Sequence, residues 1–315
     1  MLSSLTSLVS RLRLKQLRLL IALADHGSLV KAAEQVHMTQ PGATKALQEI
    51  ESAMGATLFV RSNRGLEPNA LGHCGVRYAR LILTDLAHLR EELCGILDGH
   101  GGRLAVGTIM GAVPILTDAL ARLLIRQPNV TVEIVEDTSA HLIDLLDQGR
   151  LDVALCRTSV SEHPEVYRTL KVRDEELAVV AHPEHPLATR KALDLKELSD
   201  FRWVVYTANT PMRLLLEREF RDVDVQFPPT LIETTSAFMT LSFLQRQKSM
   251  VAMLSVDVAK EFERFGFVTL LPVVFRYRSE PYLLVTRRDR SPTPVAEIFM
   301  SEFAGSATAP QIAVS

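Results

Sequence analysis

Apolar positions along the chain follow two rhythms, helical spacing up to about residue 98 and short strand-like runs alternating with helical stretches from Arg103 onward. Leu14, Leu17, Ile21 and Ala24 share a face that predicts a first short helix, stopped at Asp25-His26-Gly27. Ser28 is placed to cap a second helix with Ala32, Ala33 and Val36 inward. A tight connection through His37 and Met38 then reaches Thr39. Thr39 is a good N-cap, and Pro41 is tolerated in the first turn, where its missing N–H has no partner to lose. Ala43, Leu47, Ile50 and Met54 form the buried stripe of a third helix that Gly55 ends, while Gln40, Thr44, Lys45 and Gln48 fall on the opposite face. Amide, hydroxyl and ammonium groups at the start of the second of two turn-linked helices suit the reading of a major groove. The same spacing suits a small helical bundle with a polar solvent face.

The next segment shifts that balance. Leu58-Phe59-Val60-Arg61, Ser62-Asn63-Arg64-Gly65 and Leu66-Glu67-Pro68 predict a short hairpin with Arg61 and Arg64 near its tip. A basic hairpin after such a helix pair is a wing, whose arginines reach a minor groove or grip phosphate, although loop arginines also occur with no partner. After Pro68-Asn69 an unbroken helical stretch runs to about Leu97, with Ala79, Ile82, Leu86, Leu89, Leu93 and Ile96 at alternating spacings of 3 and 4. A helix of roughly 28 residues spans about 42 Å, too long for the small module to cover. Pairing of two such helices accounts for the heptad repeat better than burial against the larger domain does. Asp98-Gly99-His100-Gly101-Gly102 then breaks the helix into a hinge.

Beyond the hinge, Leu104 to Thr108, a helix from Pro114 to Arg126, Val130 to Ile134, a helix from Ala140 to Asp147 closed by Gly149, and Leu151 to Cys156 give a βαβαβ order and so a parallel sheet. A second series follows: Leu177 to Ala181, Trp203 to Tyr206, a helix from Met212 to Phe220, Leu231 to Glu233, a helix from Ala237 to Gln245, and Val251 to Leu254. Two lobes fit this length better than one. The late strands Val268 to Leu271 and Tyr282 to Thr286 and the last helix, Thr293 to Phe303, are expected to return to the first lobe. Hydroxyls recur after the strand ends: Thr108, then Thr158 and Ser159, then Thr207 and Thr210, then Thr234, Thr235 and Ser236. Each one singly is a helix cap. Four clusters at one end of the sheets suggest a cleft for a small polar or anionic ligand, with Arg157 either pairing a carboxylate or lying on the surface.

Composition narrows the class. The 47% apolar and 23% charged residues are ordinary for a globular protein. No run of about 18 apolar residues suggests a membrane span, and Met1 to Arg13 lacks the pattern of a secretory signal, so no membrane partner and a cytoplasmic location are expected. Cys74, Cys94 and Cys156 form no CxxC pair and suggest neither disulfide nor zinc; Cys94 flanks the heptad seam as a packed residue. A peroxide-sensing Cys156 lacks a nearby resolving partner. The net charge of -2 conceals a division: the first 80 residues hold 10 of the 35 basic and 5 of the 37 acidic side chains, a balance of +5, which leaves -7 on the remainder. Cationic surface on one part only hints at a polyanion partner for that part. No dinucleotide or P-loop glycine motif, GxSxG elbow or HExxH occurs. His182-Pro-Glu-His185-Pro reads as a solvated loop, and Glu91-Glu92 and Glu175-Glu176 as surface. No catalytic, metal or cofactor site is expected, and an α/β enzyme or a ligand-binding protein without a DNA role is the alternative.

Ala32-Ala33, Thr39-Gln40-Pro41-Gly42-Ala43-Thr44-Lys45, Leu47, Ile50-Glu51, Met54-Gly55, Leu58-Phe59 and Arg61 together resemble the DNA-binding domain of LysR-type transcriptional regulators. The family usually has Thr at the cap of the next helix and a small residue two places later, where this chain has Asn69 and Leu71. The resemblance implies a mixed fold: a winged helix-turn-helix over 1–68, a linker and dimerisation helix over 69–98, and over 102–307 an effector domain similar to periplasmic binding proteins. Lobe I would take about 102–174 and 274–307, and lobe II about 175–273. It implies that Thr39, Gln40, Pro41, Thr44, Lys45 and Gln48 meet bases and nearby backbone of a palindromic double-stranded DNA site, with Arg61 and Arg64 on phosphate or minor groove. It places an effector between the lobes near Thr108 and Thr158, with Met110, Ser159, Thr207, Thr234, Thr235 and Ser236 around it. A dimer or tetramer follows, with RNA polymerase as a further partner. Nothing in the residues separates an aromatic acid from a sugar acid.

Overall fold

The computed structural model describes residues 3–62, 65–98, 101–208 and 210–304. The chain divides into two compact units, the first formed by residues 1–99 together with 147–150. It comprises α1 (Leu5–Arg11), α2 (Leu14–His26), α3 (Leu29–Gln35), α4 (Gln40–Met54), a hairpin of β1 (Phe59–Ser62) and β2 (Gly65–Pro68), and α5 (Ala70–Asp98). Helix α1 was not signalled by the apolar pattern because it buries nothing: Ser4 caps it, while Leu5 and Val9 stay exposed. The buried face of α2 also differs from the expected one. Leu17, Leu19, Leu20, Ala22 and Leu23 are buried and Leu14 is 52% exposed. This helix is apolar around most of its circumference and packs on both α3 and α5, so spacing alone did not select its inward arc. Ala32, Ala33, Val36, Ala43, Leu47 and Ile50 complete the core as their periodicity predicts.

Polar groups fix the joints of this unit. The Ser28 and Thr39 hydroxyls accept from the N–H of Lys31 and Gly42, capping α3 and α4, and His37 turns the chain between them at φ 53°. Glu51, near the end of α4, accepts from the N–H groups of Leu58 at 2.7 Å and Phe59 at 3.2 Å, so α4 holds the start of the wing by its backbone. Gly65 sits at φ 122°, and a Cβ there would lie 2.4 Å from the Gly27 carbonyl, which accepts from Leu66 N–H. Only glycine permits that approach. Asn69 does cap α5, through Gly72 N–H at 2.9 Å, and its amide also donates to the Thr57 carbonyl. Leu71 is half exposed, so the departure there costs the core nothing.

The second unit holds two lobes. Lobe I is built from β3 (Arg103–Thr108), α6 (Val113–Arg126), β4 (Thr131–Glu136), α7 (Ser139–Asp147), β5 (Val153–Cys156) and β6 (Tyr167–Arg173). Lobe II follows with β7 (Leu177–Ala181), β8 (Arg202–Val205), α8 (Pro211–Asp222), β9 (Leu231–Glu233), α9 (Ala237–Arg246), β10 (Met250–Ser255), α10 (Val256–Arg264) and β11 (Thr269–Leu271). The chain then returns to lobe I as β12 (Tyr282–Arg287) and α11 (Pro294–Ala304). The sheet orders are β4-β3-β5-β12-β6 and β11-β7-β10-β8-β9. Neither sheet is wholly parallel, as the alternating order had suggested: β12 is antiparallel to β5 and β6, and β7 is antiparallel to β10 and β11. Parallel neighbours need helical crossovers, which α6 and α7 supply; strands reached by crossing between lobes have no such constraint. Strand β11 stays in lobe II, against the expected return of Val268 to Leu271 and in line with a boundary near 273. β6 and α10 were not anticipated, since exposed residues fill most of β6.

Leu104, Val106, Leu116, Leu123, Leu142 and Phe299 fill lobe I. In lobe II, Trp203 meets Phe220 edge-on at 5.5 Å and donates its indole N–H to the Leu198 carbonyl. Removing the Glu51 carboxylate strands two backbone donors of the wing, a loss of about 1–3 kcal/mol. Glu51→Ala is therefore expected to lower the calorimetric melting of the first unit by that amount, whereas exposed Glu34→Ala leaves it unchanged.

Candidate functional site

Two surfaces carry chemistry. On the first unit, Thr39, Gln40, Pro41, Thr44, Lys45 and Gln48 are all exposed along the start of α4, opposite the stripe that Ala43, Ala46, Leu47 and Ile50 bury. The Thr44 hydroxyl donates to the Gln40 carbonyl at 3.0 Å, which fixes its rotamer and leaves its methyl and a lone pair outward. Arg61 is exposed on β1 opposite Leu66; Arg64 lies outside the described residues. Along α5, Ile82, Leu86, Leu89 and Leu93 are 39 to 52% exposed, an apolar seam on a helix whose other faces carry His88, Arg90 and Asp85. Ala79 differs from the other seam positions, for it is buried with Val76 in the core of its own unit. The free seam thus begins at Ile82. Ile96 lies within α5, but its side chain lies outside the described residues.

The second surface is a cavity of about 260 Å³ between the two lobes, reached from the carboxyl ends of β3, β4, β5 and β8. β3, β4 and β5 are in register there, with Thr108 level with Glu136 and Leu155, so the residues that follow each strand converge. Ile109, Met110, Val160, Pro211 and Met212 give the wall its apolar part; Glu136, Asp137, Thr138, Ser139, Thr207, Thr210 and Thr235 give it polar edges. Arg157 and Glu175 form its floor. This is the position at which open α/β sheets take ligands.

The floor is a buried ion pair: Glu175 is covered where its sequence suggested surface, and Arg157 takes the first of its two expected roles, pairing a carboxylate. Arg157 is 5% exposed and Glu175 1%; the guanidinium Nη2 donates to Glu175 Oε2. Glu175 also accepts from Tyr282 Oη at 2.7 Å and from Ser279 Oγ at 2.8 Å, and Tyr282 Oη lies 2.9 Å from Ser255 Oγ. Burial pushes the Glu175 carboxyl up, and the Arg157 charge with the hydroxyl bonds pulls it part of the way back. Tyr282 and Tyr206 are likewise pushed up, by burial first and by the Glu175 charge second. Gly111 lies against this cluster: a Cβ there would be 2.6 Å from Tyr282 Oη and 2.7 Å from Glu175 Oε1. Segments following β3, β5 and β10, and both crossings between lobes, thus meet at one carboxylate.

Of the residues expected at the cleft, the cavity brings together Met110, Thr207, Thr210 and Thr235. Thr108 is buried and donates to the Ile109 carbonyl, and Thr158 is buried off the wall. The Ser159 hydroxyl donates to Glu280, Thr234 accepts from Ser236 N–H, and Ser236 caps α9 through Met239 N–H. Local hydrogen bonds took Thr108, Thr234 and Ser236. Cys156 is buried, with its thiol pushed up to about 12 by desolvation. His185, expected in a solvated loop, is 3% exposed against the Phe201 ring, and burial lowers its pKa. Among the described residues no cluster of His, Cys, Asp and Glu is arranged to hold a metal ion, and no helix is long and apolar enough to cross a membrane.

Both parts of the chain match known families. Residues 14–73 match the family described as bacterial regulatory helix-turn-helix protein, lysR family, and residues 97–307 match the LysR substrate binding domain. The HTH-type transcriptional regulator GbpR of Azospirillum brasilense is 32% identical over 92% of this chain and 85% of its own length. CfxR of Cupriavidus necator is 28% identical over 85% of this chain and 84% of its own. Among solved structures, CbnR, a LysR family transcriptional regulator, shares the fold with a TM-score of 0.64 at 20% identity, covering 95% of this chain and 100% of that one. CbnR with its target DNA gives 0.63 at 21% identity, over 94% and 100%.

Two outcomes follow from the cavity floor. Glu175→Ala leaves the Arg157 charge buried and unmatched, a cost of about 3–5 kcal/mol, which urea unfolding followed by the single tryptophan, Trp203, is expected to register. Glu175→Gln keeps hydrogen-bonding capacity and loses less. At pH 8 the exposed Cys74 is expected to react with a thiol reagent in the native chain and Cys156 only after unfolding, because its thiol ionises far above that pH.

Proposed function

The chain belongs to the LysR family of bacterial transcriptional regulators, and from that premise we propose how its parts divide the work. It is a DNA-binding regulator with an effector-binding domain, not an enzyme. Residues 1–68 read DNA, 69–98 pair two chains, and 102–307 sense a small molecule between the lobes. The observation that carries the reading is the one exposed face of α4 on which Gln40, Thr44, Lys45 and Gln48 stand beside a wing bearing Arg61. Gln40 and Thr44 offer an amide and a methyl to base edges, Gln48 follows one turn on, and Lys45 offers a point charge to phosphate. Thr39 and Pro41 set the first turn against the backbone, and Arg61 with Arg64 contacts phosphate or a minor groove.

Pairing along Ile82, Leu86, Leu89 and Leu93 sets two reading helices on one DNA face, which requires a site with two-fold symmetry. A tetramer places two such pairs on neighbouring half-sites, and RNA polymerase is the partner through which a bound regulator acts. The cytoplasm is where a bacterial regulator meets its DNA. A ligand in the cavity between the lobes works by binding one lobe arrangement more tightly than the other, since a ligand indifferent to the two shifts nothing.

Gel shift with the DNA upstream of the chain's own gene tests the reading. Lys45→Ala is expected to weaken binding to every sequence and to reduce the slope of log affinity against log salt by about 1. Thr44→Val is expected to change sequence preference with the slope unaltered. Affinity for that region no higher than for random DNA would sink the proposal. Leu89→Glu, by placing a charge in the seam, is expected to reduce the assembly's mass in analytical ultracentrifugation.

A further inference from the structure

The charge of the cavity wall says what kind of molecule the wall accepts. Three carboxylates, Glu136, Asp137 and Glu175, face the cavity against one guanidinium, Arg157. That guanidinium is committed to Glu175, which leaves the two acids of lobe I uncompensated by any described basic residue on the wall. Asp137 is partly used at the start of α7, where Oδ1 accepts Thr138 N–H at 2.7 Å and Oδ2 lies 3.9 Å from His141 Nε2. Glu136 has no such use. It ends β4 opposite Thr108, and burial alone pushes its carboxyl up, the direction expected of a carboxylate partly withdrawn from water with no cation beside it.

Acceptors also have counterparts on the wall. The first turn of α8, opened by Pro211, has no side-chain cap, and Arg157 Nε is buried without a partner. Neutral oxygen is enough to satisfy these donors, and the start of α7 is already capped by the Thr138 hydroxyl, which accepts from His141 N–H. A free anion entering the cavity would meet the like charges of Glu136 and Asp137 at close range.

Resting on the reading of this cavity as the effector site, we infer that the effector is a donor-rich small molecule without net negative charge, bound through Glu136 and Asp137. Its donors are the hydrogens of an ammonium group or of adjacent hydroxyls. Its apolar face lies on Met110, Val160 and Met212. Of the two characters that the strand-end hydroxyls suggested, polar and anionic, the wall selects the first.

Isothermal titration of the full chain with three probe classes tests this: benzylamine and agmatine as cations, xylitol and myo-inositol as polyols, benzoate and succinate as anions. Binding is expected from the cations or the polyols and not from the anions. Which of the first two classes binds separates ammonium from hydroxyl as the donor. Glu136→Gln is expected to weaken that binding about tenfold, the value of one hydrogen bond to a charged acceptor, and Met212→Trp, which fills the cavity, to abolish it. Anions binding more tightly than cations and polyols overturn the inference while leaving the cavity its role. So does binding that Met212→Trp abolishes but Glu136→Gln leaves unchanged. Binding that survives Met212→Trp, or no binding by any class, overturns the cavity reading itself.

Discussion

The sensing domain depends on one buried charge pair. Each sheet of the two lobes fills its own interior, with Met110 reaching from lobe I into the core of lobe II. The ion pair of Arg157 with Glu175, closed by Tyr282, Ser279 and Ser255, ties the lobes at the point where the crossings pass. A charge pair withdrawn from water is only weakly favourable over an apolar replacement, yet it is very intolerant of losing one member. It also demands directions, since a carboxylate has a limited set of lone pairs and here they are taken by named donors. Gly111 shows how tight the fit is, for there is no room beside Glu175 for even one methyl group. A hinge made this way has defined geometry without a thick core, which leaves the space above it open for a ligand.

The reading unit solves a similar problem with backbone hydrogen bonds. Its wing is only two short strands, too small to be stable alone. Glu51 holds the wing by two N–H groups, Gly27 holds it through Leu66, and Asn69 anchors the following helix to the residues just before it. The exposed face of α4 is thereby presented on a frame whose other side is fully occupied. Apart from Thr39, whose hydroxyl caps α4, the residues proposed to meet DNA hold no joint of this frame.

What was legible in the sequence follows the range of the interaction responsible. Thr39, Gly55 and Asn69 act on groups within a few residues, so their roles were readable, and the alternation of strands and helices was readable for the same reason. Glu51 and Glu175 were not, because their partners lie seven to more than a hundred positions away. Adjacent glutamates look like solvated surface until another segment covers one of them. Of the hydroxyls after the strands, Thr207, Thr210 and Thr235 reach the cavity, yet local hydrogen bonds claimed Thr234 and Ser236, and the cavity drew also on Thr138 and Ser139. Spacing also misjudged α2 and β6, where one helix is apolar nearly all round and one strand is mostly exposed.

The long helix α5 begins inside one task and ends in another. Val76 and Ala79 belong to the core of the reading unit, while Ile82, Leu86, Leu89 and Leu93 face outward on the same uninterrupted helix. No glycine, proline or loop separates the two stretches, and one turn of helix connects them. In a paired assembly such a helix behaves as a shaft keyed into its load. Any twist imposed along the seam is delivered undiminished to α4 and the wing. One residue of slippage in the pairing would turn each reading face by about 100° and carry it about 1.5 Å along the axis, enough to take it off its groove. The spacing of the DNA half-sites is then set by the meshing of leucines far from any base.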